Sequence, residues 1–172
     1  MKNSHSLRVA TGKIITRTEL AKAVEEAKSA GMTVVFTNGC FDILHVGHVR
    51  YLQEARSMGD LLVVGVNTDD SVRKLKGPDR PINAETDRAE VLAALECVDY
   101  VTLFAEDTPI ELISAIRPNI QVKGGDYAPE DLPEAEIMRS IGGRVEIIPF
   151  SATDSEGLST TKTISSIKAP LL

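Results

Sequence analysis

The sequence has 172 residues, of which 42% are hydrophobic, and this length and composition are typical of one globular domain with a buried core. The net charge of −6 argues against a broad nucleic-acid-binding surface, and no apolar run reaches the ~20 residues that are needed to cross a bilayer. Two cysteines are too few for a disulfide framework or a zinc set, and the first residues lack the apolar core of a signal peptide. We therefore expect a cytoplasmic protein that binds neither nucleic acid nor membrane.

The predicted elements alternate between helices and strands. Residues 1–16 are expected to be a loose lead-in, and residues 17–172 a single domain. Helices are predicted over residues 18–30, 46–59, 84–98, 108–118 and 158–169, with a helical start at 69 that dissolves into a basic loop by 81 and a further helix behind a polar loop within 128–143. Strands are predicted over residues 33–37, 60–67, 99–104, 119–125 and 144–150. This alternation predicts a Rossmann-like three-layer α/β sandwich with a mainly parallel sheet.

Two helix boundaries carry specific signals. Gly31 is expected to end the first helix, and Thr108 is expected to cap the helix over 108–118, with Pro109 at its first position. In sheets of this kind ligands bind beyond the carboxyl ends of the strands, so the motifs that follow the strands are expected to meet at one edge.

The stretch TNGCFDILHVGH, residues 37–48, joins the first predicted strand to the second predicted helix. Gly39 allows a ligand to approach the backbone closely, and a helix N-terminus near His45 offers free N–H groups and partial positive charge to an anion. His45 and His48 straddle the first helical turn, with Gly47 leaving room between them. Each imidazole can donate a hydrogen bond to a phosphate oxygen, so the pattern favours phosphate binding.

Other interpretations of this stretch remain open. It could be an ordinary strand-to-helix turn with structural histidines. It could also be a metal site, although no third histidine lies nearby and the cysteines are poorly spaced for one. A dinucleotide-binding loop would require G-x-G-x-x-G, which is absent. Asp42 could orient a site residue or tie down the turn through backbone N–H groups, and the sequence does not decide between these roles.

A cluster of positive charge follows the second predicted strand. Its members are Arg73, Lys74, Lys76, Arg80 and Arg88. A solvated basic loop would explain any one of them, but Gly77 and Pro78 indicate a shaped loop at the ligand-binding edge. Lys and Arg are the residues that a reaction between phosphorylated partners requires, so a functional role is favoured, above all for Lys76 and Arg88.

Two further motifs follow later strands. In VKGGDY, residues 122–127, paired glycines permit close backbone approach and Asp126 can accept hydrogen bonds from sugar hydroxyls or a base amine, although a tight turn would also explain them. In EGLSTTKTI, residues 156–164, three hydroxyl residues precede the last helix, where a cap needs only one, so they favour phosphate binding. The polar loop over 128–136 is a candidate lid. Roles for Asn67, Asp69, Arg80, Lys123 and Tyr127 remain open.

The H-x-G-H motif of residues 45–48, combined with the Ser-Thr-Thr motif of residues 159–161, resembles the cytidylyltransferase-like nucleotidyltransferases. Within that superfamily, residues 33–168 are most similar to the D-glycero-β-D-manno-heptose 1-phosphate adenylyltransferases, through TNGCFDILHVGHVRYL, VNTDDSVRKLKGPDRPIN, VKGGDY and STTKTI. Such a domain occurs as the C-terminal half of a bifunctional enzyme or alone, and the single-activity form is expected here.

The resemblance implies transfer of AMP from ATP to heptose 1-phosphate, giving ADP-heptose and pyrophosphate, with Mg²⁺ carried by the triphosphate and no metal ligands from protein side chains. It implies catalytic roles for His45, His48 and Lys76, and substrate-phosphate contacts for Lys74, Lys76 and Arg88. The nucleotide-binding residues that it implies are Asn38, Gly39, Cys40, Phe41, His45, Gly47, His48, Gly125, Asp126, Ser159, Thr160 and Thr161. A homodimer is expected from the resemblance alone.

Three alternatives accompany this hypothesis. A cytidylyltransferase would use CTP with glycerol 3-phosphate or another phosphorylated alcohol, and the segment SEGLSTTK is similar to that family. A nucleotide-binding domain without catalysis would show damage in its motifs, which are intact. A metallohydrolase would require bound metal.

Overall fold

The structure is a computed structural model that describes residues 9–126, 128–149, 151 and 159–168. Within these residues, five strands form one sheet in the order β3-β2-β1-β4-β5, and every neighbouring pair is parallel. The strands are β1 (Val34–Gly39), β2 (Leu61–Asn67), β3 (Tyr100–Phe104), β4 (Ile120–Gly124) and β5 (Arg144–Ile148). The predicted Rossmann-like α/β fold is confirmed, and the sheet is parallel throughout.

Helices cover both faces of the sheet. They are α1 (Arg17–Ser29), α2 (Val46–Ser57), α3 (Asp69–Lys76), α4 (Glu85–Ala93), α5 (Ile110–Ile116), α6 (Ala135–Ser140) and α7 (Thr160–Lys168), with short 3-10 turns at Ala10–Lys13 and Pro129–Asp131. Helices α2 and α4 pack on one face, and α1, α5 and α6 on the other. No helix in the described ranges has the length and apolarity to cross a membrane.

Strand β1 illustrates why the sheet is buried on both sides. Val34 and Phe36 belong to the apolar cluster under α1 and α5, whereas Val35 belongs to the cluster under α2 and α4. All three side chains are fully buried. Alternate residues point to opposite faces, so a strand with a helix layer on each side must be apolar without interruption.

Residues 9–16 differ from the loose lead-in that was predicted for them. Ala10 and Ile14 pack against the cluster of α2 and α4. The Lys13 ammonium donates to the carbonyl oxygens of Leu95 and Val98, at 3.1 and 2.8 Å. This contact also helps to explain why α4 ends at Ala93 rather than at 98, because these carbonyls face Lys13 in a turn.

Smaller differences concern three ends of elements. Strand β1 runs to Gly39, so Asn38 and Gly39 lie on the strand rather than in the turn after it. Helix α5 begins at Ile110 with Pro109 at its cap position and no side-chain cap, so the predicted Thr108 cap is wrong. Helix α1 ends at Ser29, two residues before Gly31, which has a positive φ of 82°.

The strand order places a topological switch point between β1 and β4. The chain passes from β1 to β2 and β3 on one side, and later continues from β4 to β5 on the other. The connecting helices therefore diverge at the carboxyl ends of β1 and β4 and leave a crevice there, which is where open α/β sheets bind ligands.

Candidate active site

A cavity of about 380 Å³ lies at this switch point. Its size is within the ordinary range for small-molecule sites. Its lining residues are Asn38, Gly39, Cys40, Phe41, His45, Gly47, His48, Tyr51, Lys123, Gly124, Ile148, Ser159 and Thr160. Most of the predicted nucleotide-binding residues thus lie together, although they come from opposite ends of the sequence.

The turn between β1 and α2 forms one wall of the cavity. Phe41 has a left-handed backbone with φ of 46°, a conformation that costs energy for a bulky residue and must be held by its surroundings. Gly39 is required for close packing, since a Cβ at this position would lie 3.0 Å from the Phe41 ring. Burial raises the pKa of the Cys40 thiol, so this side chain is protonated at neutral pH.

Asp42 holds the turn against the loop that precedes α4. One carboxylate oxygen accepts hydrogen bonds from the backbone N–H groups of Ile82 and Asn83, at 2.8 and 3.0 Å, and the other pairs with the Arg80 guanidinium. Burial opposes ionisation, but the N–H of Asn83, the Arg80 side chain and the N–H of Ile82 outweigh it and hold the pKa of Asp42 below its ordinary value. Of its two possible roles, the contacts therefore support tying down the turn, and they engage Arg80 in the same function.

His45 and His48 lie at the N-terminal end of α2 with ring centroids 3.9 Å apart. Nδ1 of His48 accepts a hydrogen bond from the backbone N–H of His45 at 3.3 Å, so the proton of neutral His48 resides on Nε2. Nδ1 of His45 is buried and has no hydrogen-bond partner among the described residues. Both histidines line the cavity, although this nitrogen of His45 is itself buried.

Both histidines are neutral at physiological pH in this structure. Burial lowers the pKa of His45, and burial together with the charge of His45 lowers the pKa of His48 to about 4. An anion brought beside the rings would favour their charged forms and raise both pKa values.

The N-terminal end of α7 closes the cavity opposite α2. The Ser159 hydroxyl accepts from the N–H of Lys162 at 3.1 Å, and the Thr160 hydroxyl donates to the Ile43 carbonyl at 3.2 Å. Ser159 therefore caps α7, the alternative role that a single hydroxyl can fill. Ser159 and Thr160 line the cavity, whereas Thr161 is exposed and lies outside its wall. Two helix N-termini thus point their partial positive charge at one volume.

The end of β4 supplies the third wall. Gly124 is exposed to the cavity, and a Cβ here would approach the Tyr51 ring at 3.2 Å. Gly125 is buried with φ of 145°, and Asp126 is exposed, but neither lines the cavity. Tyr127 lies outside the described residues.

Most of the predicted basic cluster is already engaged by protein partners. Arg73 pairs with Asp70 on the exposed face of α3, and Lys74 lies 4.0 Å from Asp107. Lys76 is exposed, and no partner for it is found among the described residues. Its charge reaches the Cys40 thiol, where it opposes the effect of burial on the thiol pKa.

The position of Arg88 does not favour its predicted role as a substrate-phosphate anchor. Its side chain is 0% exposed. It donates four hydrogen bonds, to the carbonyl oxygens of Asn83, Cys40 and Asn67 and to the Asp69 carboxylate. Since the guanidinium has five N–H donors, almost none of its capacity remains for a ligand. Arg88 thus supports the cavity wall from behind, and Asp69 pairs with it.

Three residues of the site escaped the sequence analysis. Tyr51 donates its hydroxyl to the Val122 carbonyl at 2.9 Å and accepts from Thr37 at 2.7 Å, so it spans β1 and β4. Its position three residues after His48, on the same helix face, was an available signal. Glu134, which pairs with Lys123 at 2.8 Å, and Ile148 had no local signal, because tertiary packing alone brings them here.

No group of three or more His, Cys, Asp or Glu side chains with the arrangement of a metal site occurs among the described residues.

Comparisons with known proteins agree with this geometry. The profile of the cytidylyltransferase-like family matches residues 36–166. The bifunctional protein HldE of Pelobacter propionicus is 55% identical over 152 residues, and that of Syntrophotalea carbinolica is 56% identical over 155 residues. These matches cover 88% and 90% of this chain but only 30% and 31% of the relatives, so the chain spans about a third of their length.

One solved structure is also similar to this chain. The lipopolysaccharide core biosynthesis protein of Thermoplasma volcanium is 35% identical, with a TM-score of 0.56, and the match covers 69% of this chain and 96% of that one. The resemblance inferred from the H-x-G-H and Ser-Thr-Thr motifs is confirmed: the chain belongs to the cytidylyltransferase-like family of nucleotidyltransferases.

Proposed function

We propose that this chain transfers the adenylyl group of ATP to D-glycero-β-D-manno-heptose 1-phosphate, giving ADP-heptose and pyrophosphate. The observation that carries the proposal is the convergence of two helix N-termini and the histidine pair on one cavity at the switch point of the sheet. Neutral N–H donors and helix ends bind polyphosphate without requiring a carboxylate or a covalent nucleophile.

In this reaction an oxygen of the sugar phosphate attacks the α-phosphorus of ATP. A new P–O bond forms, the bond between the α-phosphorus and its bridging oxygen breaks, and pyrophosphate leaves with the electron pair. The acceptor phosphate is already an anion, so no general base is needed, and the work of the protein is positioning and charge stabilisation. His45 and His48 donate to phosphate oxygens, and the exposed Lys76 supplies positive charge beside the cavity.

The choice of ATP and heptose 1-phosphate rests on sequence similarity. The relatives are named as bifunctional HldE proteins and as a lipopolysaccharide core biosynthesis protein, which fits a sugar-nucleotide product. Only one part of the bifunctional relatives matches this chain, and we assign the adenylyl transfer to that part.

Mg²⁺ belongs to the proposal as the partner of the triphosphate, where it would neutralise charge on the phosphate oxygens. We also propose that the protein forms a homodimer and is located in the cytoplasm. Two free cysteines, Cys40 and Cys97, suit a reducing compartment.

The test is pyrophosphate release with Mg²⁺ from four mixtures, in which ATP or CTP is combined with heptose 1-phosphate or glycerol 3-phosphate. We expect pyrophosphate release only from the mixture of ATP with heptose 1-phosphate. Turnover with CTP and glycerol 3-phosphate would replace the proposed substrates and keep the chemistry. Tight ATP binding with no pyrophosphate in any mixture would contradict the proposal.

A further inference from the structure

A charged pair stands beside the cavity without a role in the chemistry described above. Lys123, on β4, contacts two acceptors: the Glu134 carboxylate at 2.8 Å and Oδ1 of Asn38 at 3.0 Å. Glu134 immediately precedes α6, and its side chain is only 5% exposed. Lys123 and Asn38 both line the cavity.

The charge of Lys123 is compensated by the protein itself. A buried carboxylate requires a partner, and Lys123 is the one that Glu134 has among the described residues. An ammonium held in such a pair is a weak attractor for phosphate, because the carboxylate behind it cancels most of its field. A direct phosphate contact is therefore a poor explanation for this lysine.

The contact with Asn38 has a geometric consequence. An ammonium group has three donors and no acceptor, so the amide of Asn38 must present its oxygen to Lys123. The NH₂ group of Asn38 then faces the other way, and it donates no hydrogen bond to another described residue. Since Asn38 lines the cavity, this group is available there as a donor.

We infer that Glu134 and Lys123 act as positioning residues that fix the Asn38 amide as a hydrogen-bond donor to a phosphate oxygen in the cavity. The inference rests on the proposed function, because it names a further determinant of the same site. The oxygen belongs either to the triphosphate or to the acceptor phosphate, and binding measurements separate these two sources.

The experiment is a double-mutant cycle between Asn38→Ala and the charge-free pair Lys123→Met with Glu134→Gln, which leaves no unpaired buried ion. The affinity for ATP with Mg²⁺ is measured by calorimetry, and KM and kcat are measured for ATP and for heptose 1-phosphate. We expect each change to weaken the binding of one of the two phosphate ligands about tenfold. The combined variant should bind that ligand no more weakly than either change alone. A rise in the ATP dissociation constant identifies the triphosphate, and a rise in the acceptor KM alone identifies the acceptor.

A second variant does not depend on removing the buried pair. Asn38→Asp keeps an oxygen for Lys123 but replaces the donor with a negatively charged acceptor, so we expect the lost donor and charge repulsion together to weaken phosphate binding while the protein stays folded. Removal of the exposed pair Lys22–Glu26 on α1, by Lys22→Met with Glu26→Gln, is the matched control and should change neither affinity.

The inference is overturned if the losses of binding free energy caused by Asn38→Ala and by the replaced pair add in the combined variant. It is also overturned if Asn38→Asp binds both ligands normally, or if Glu134→Gln tightens ATP binding. The last result would mean that Lys123 itself contacts phosphate. Because ATP binding is read without turnover, an inactive wild-type protein would refute the proposed substrates while leaving the ATP arm of the cycle informative.

Discussion

The histidine pair and the basic segment (residues 73–88) both looked like phosphate-binding regions, but they use their polar groups differently. The pair at the start of α2 carries little charge, yet both histidines line the cavity, and Nε2 of His48 is not engaged by another described residue. The basic segment carries five positive charges, of which Arg73, Arg80 and Arg88 are each held by an aspartate. Availability, rather than formal charge, therefore distinguishes a binding group from a structural one.

The variant Arg88→Met is the strongest test of this difference, because it asks whether Arg88 is structural or binds phosphate. It leaves three carbonyl oxygens, those of Cys40, Asn67 and Asn83, without their donor, so we expect the free energy of unfolding to fall by about 3–5 kcal/mol. Urea denaturation measures this loss. The control Arg73→Met removes an exposed pair and should cost less than about 0.5 kcal/mol. Full stability of Arg88→Met with a selective loss of phosphate affinity would restore the anchor role.

His48→Ala and His45→Ala test the other region. Each removes a hydrogen-bonding group beside the reacting phosphates, so we expect kcat to fall by about 10²–10³-fold while the fold persists. Pyrophosphate release and thermal unfolding measured on the same samples provide both values. Near-normal turnover in both variants would remove the histidine pair from the mechanism.

Asp42→Asn examines the support of the turn. The carboxylate accepts from Arg80, Ile82 and Asn83, so we expect a loss of about 1–3 kcal/mol at neutral pH. Because the pKa of Asp42 is lowered in the folded state, its contribution is complete above the ordinary carboxyl pKa of about 4 and is lost as pH falls through the folded value. Urea unfolding at several pH values should show the gap between wild type and variant closing on acidification. A gap that is independent of pH would contradict the ionised role.

Lys76→Ala gives the smallest expected effect. The ammonium is exposed and not held by a partner among the described residues, so we expect kcat/KM to fall about tenfold at low salt and less at high salt, where charges are screened. Lys74→Ala is the matched variant, because Lys74 is also exposed but lies 4.0 Å from Asp107. An equal loss of kcat/KM in the two variants would show that both lysines act only through the overall positive charge of α3.

The fold could be predicted because its signals are local. Each strand is an apolar run, each helix has a periodic face, and their alternation leaves few topologies. One failure occurred where a distant residue intervenes, at the end of α4, where Lys13 reaches across 82 residues to the Leu95 carbonyl. The Thr108 cap failed although its signal was local.

The site was predicted in part for the same reason. The motifs of residues 38–48 and 159–160 are compact, and the switch point brings them together. The protein partners of Arg88 could not be predicted, because a sequence shows that a guanidinium exists but not which groups surround it. Glu134 was missed because nothing near it in the sequence indicates that it pairs with Lys123.

The pairing of β1 with β4 has a consequence for folding. Asn38 and Lys123 are 85 residues apart, and they meet only when β4 docks beside β1. Contacts of such sequence separation close late, because the chain between them must be ordered first. We therefore expect ATP binding to appear only in the last step of refolding, after secondary structure has formed, so that a nucleotide probe reports on completion of the sheet.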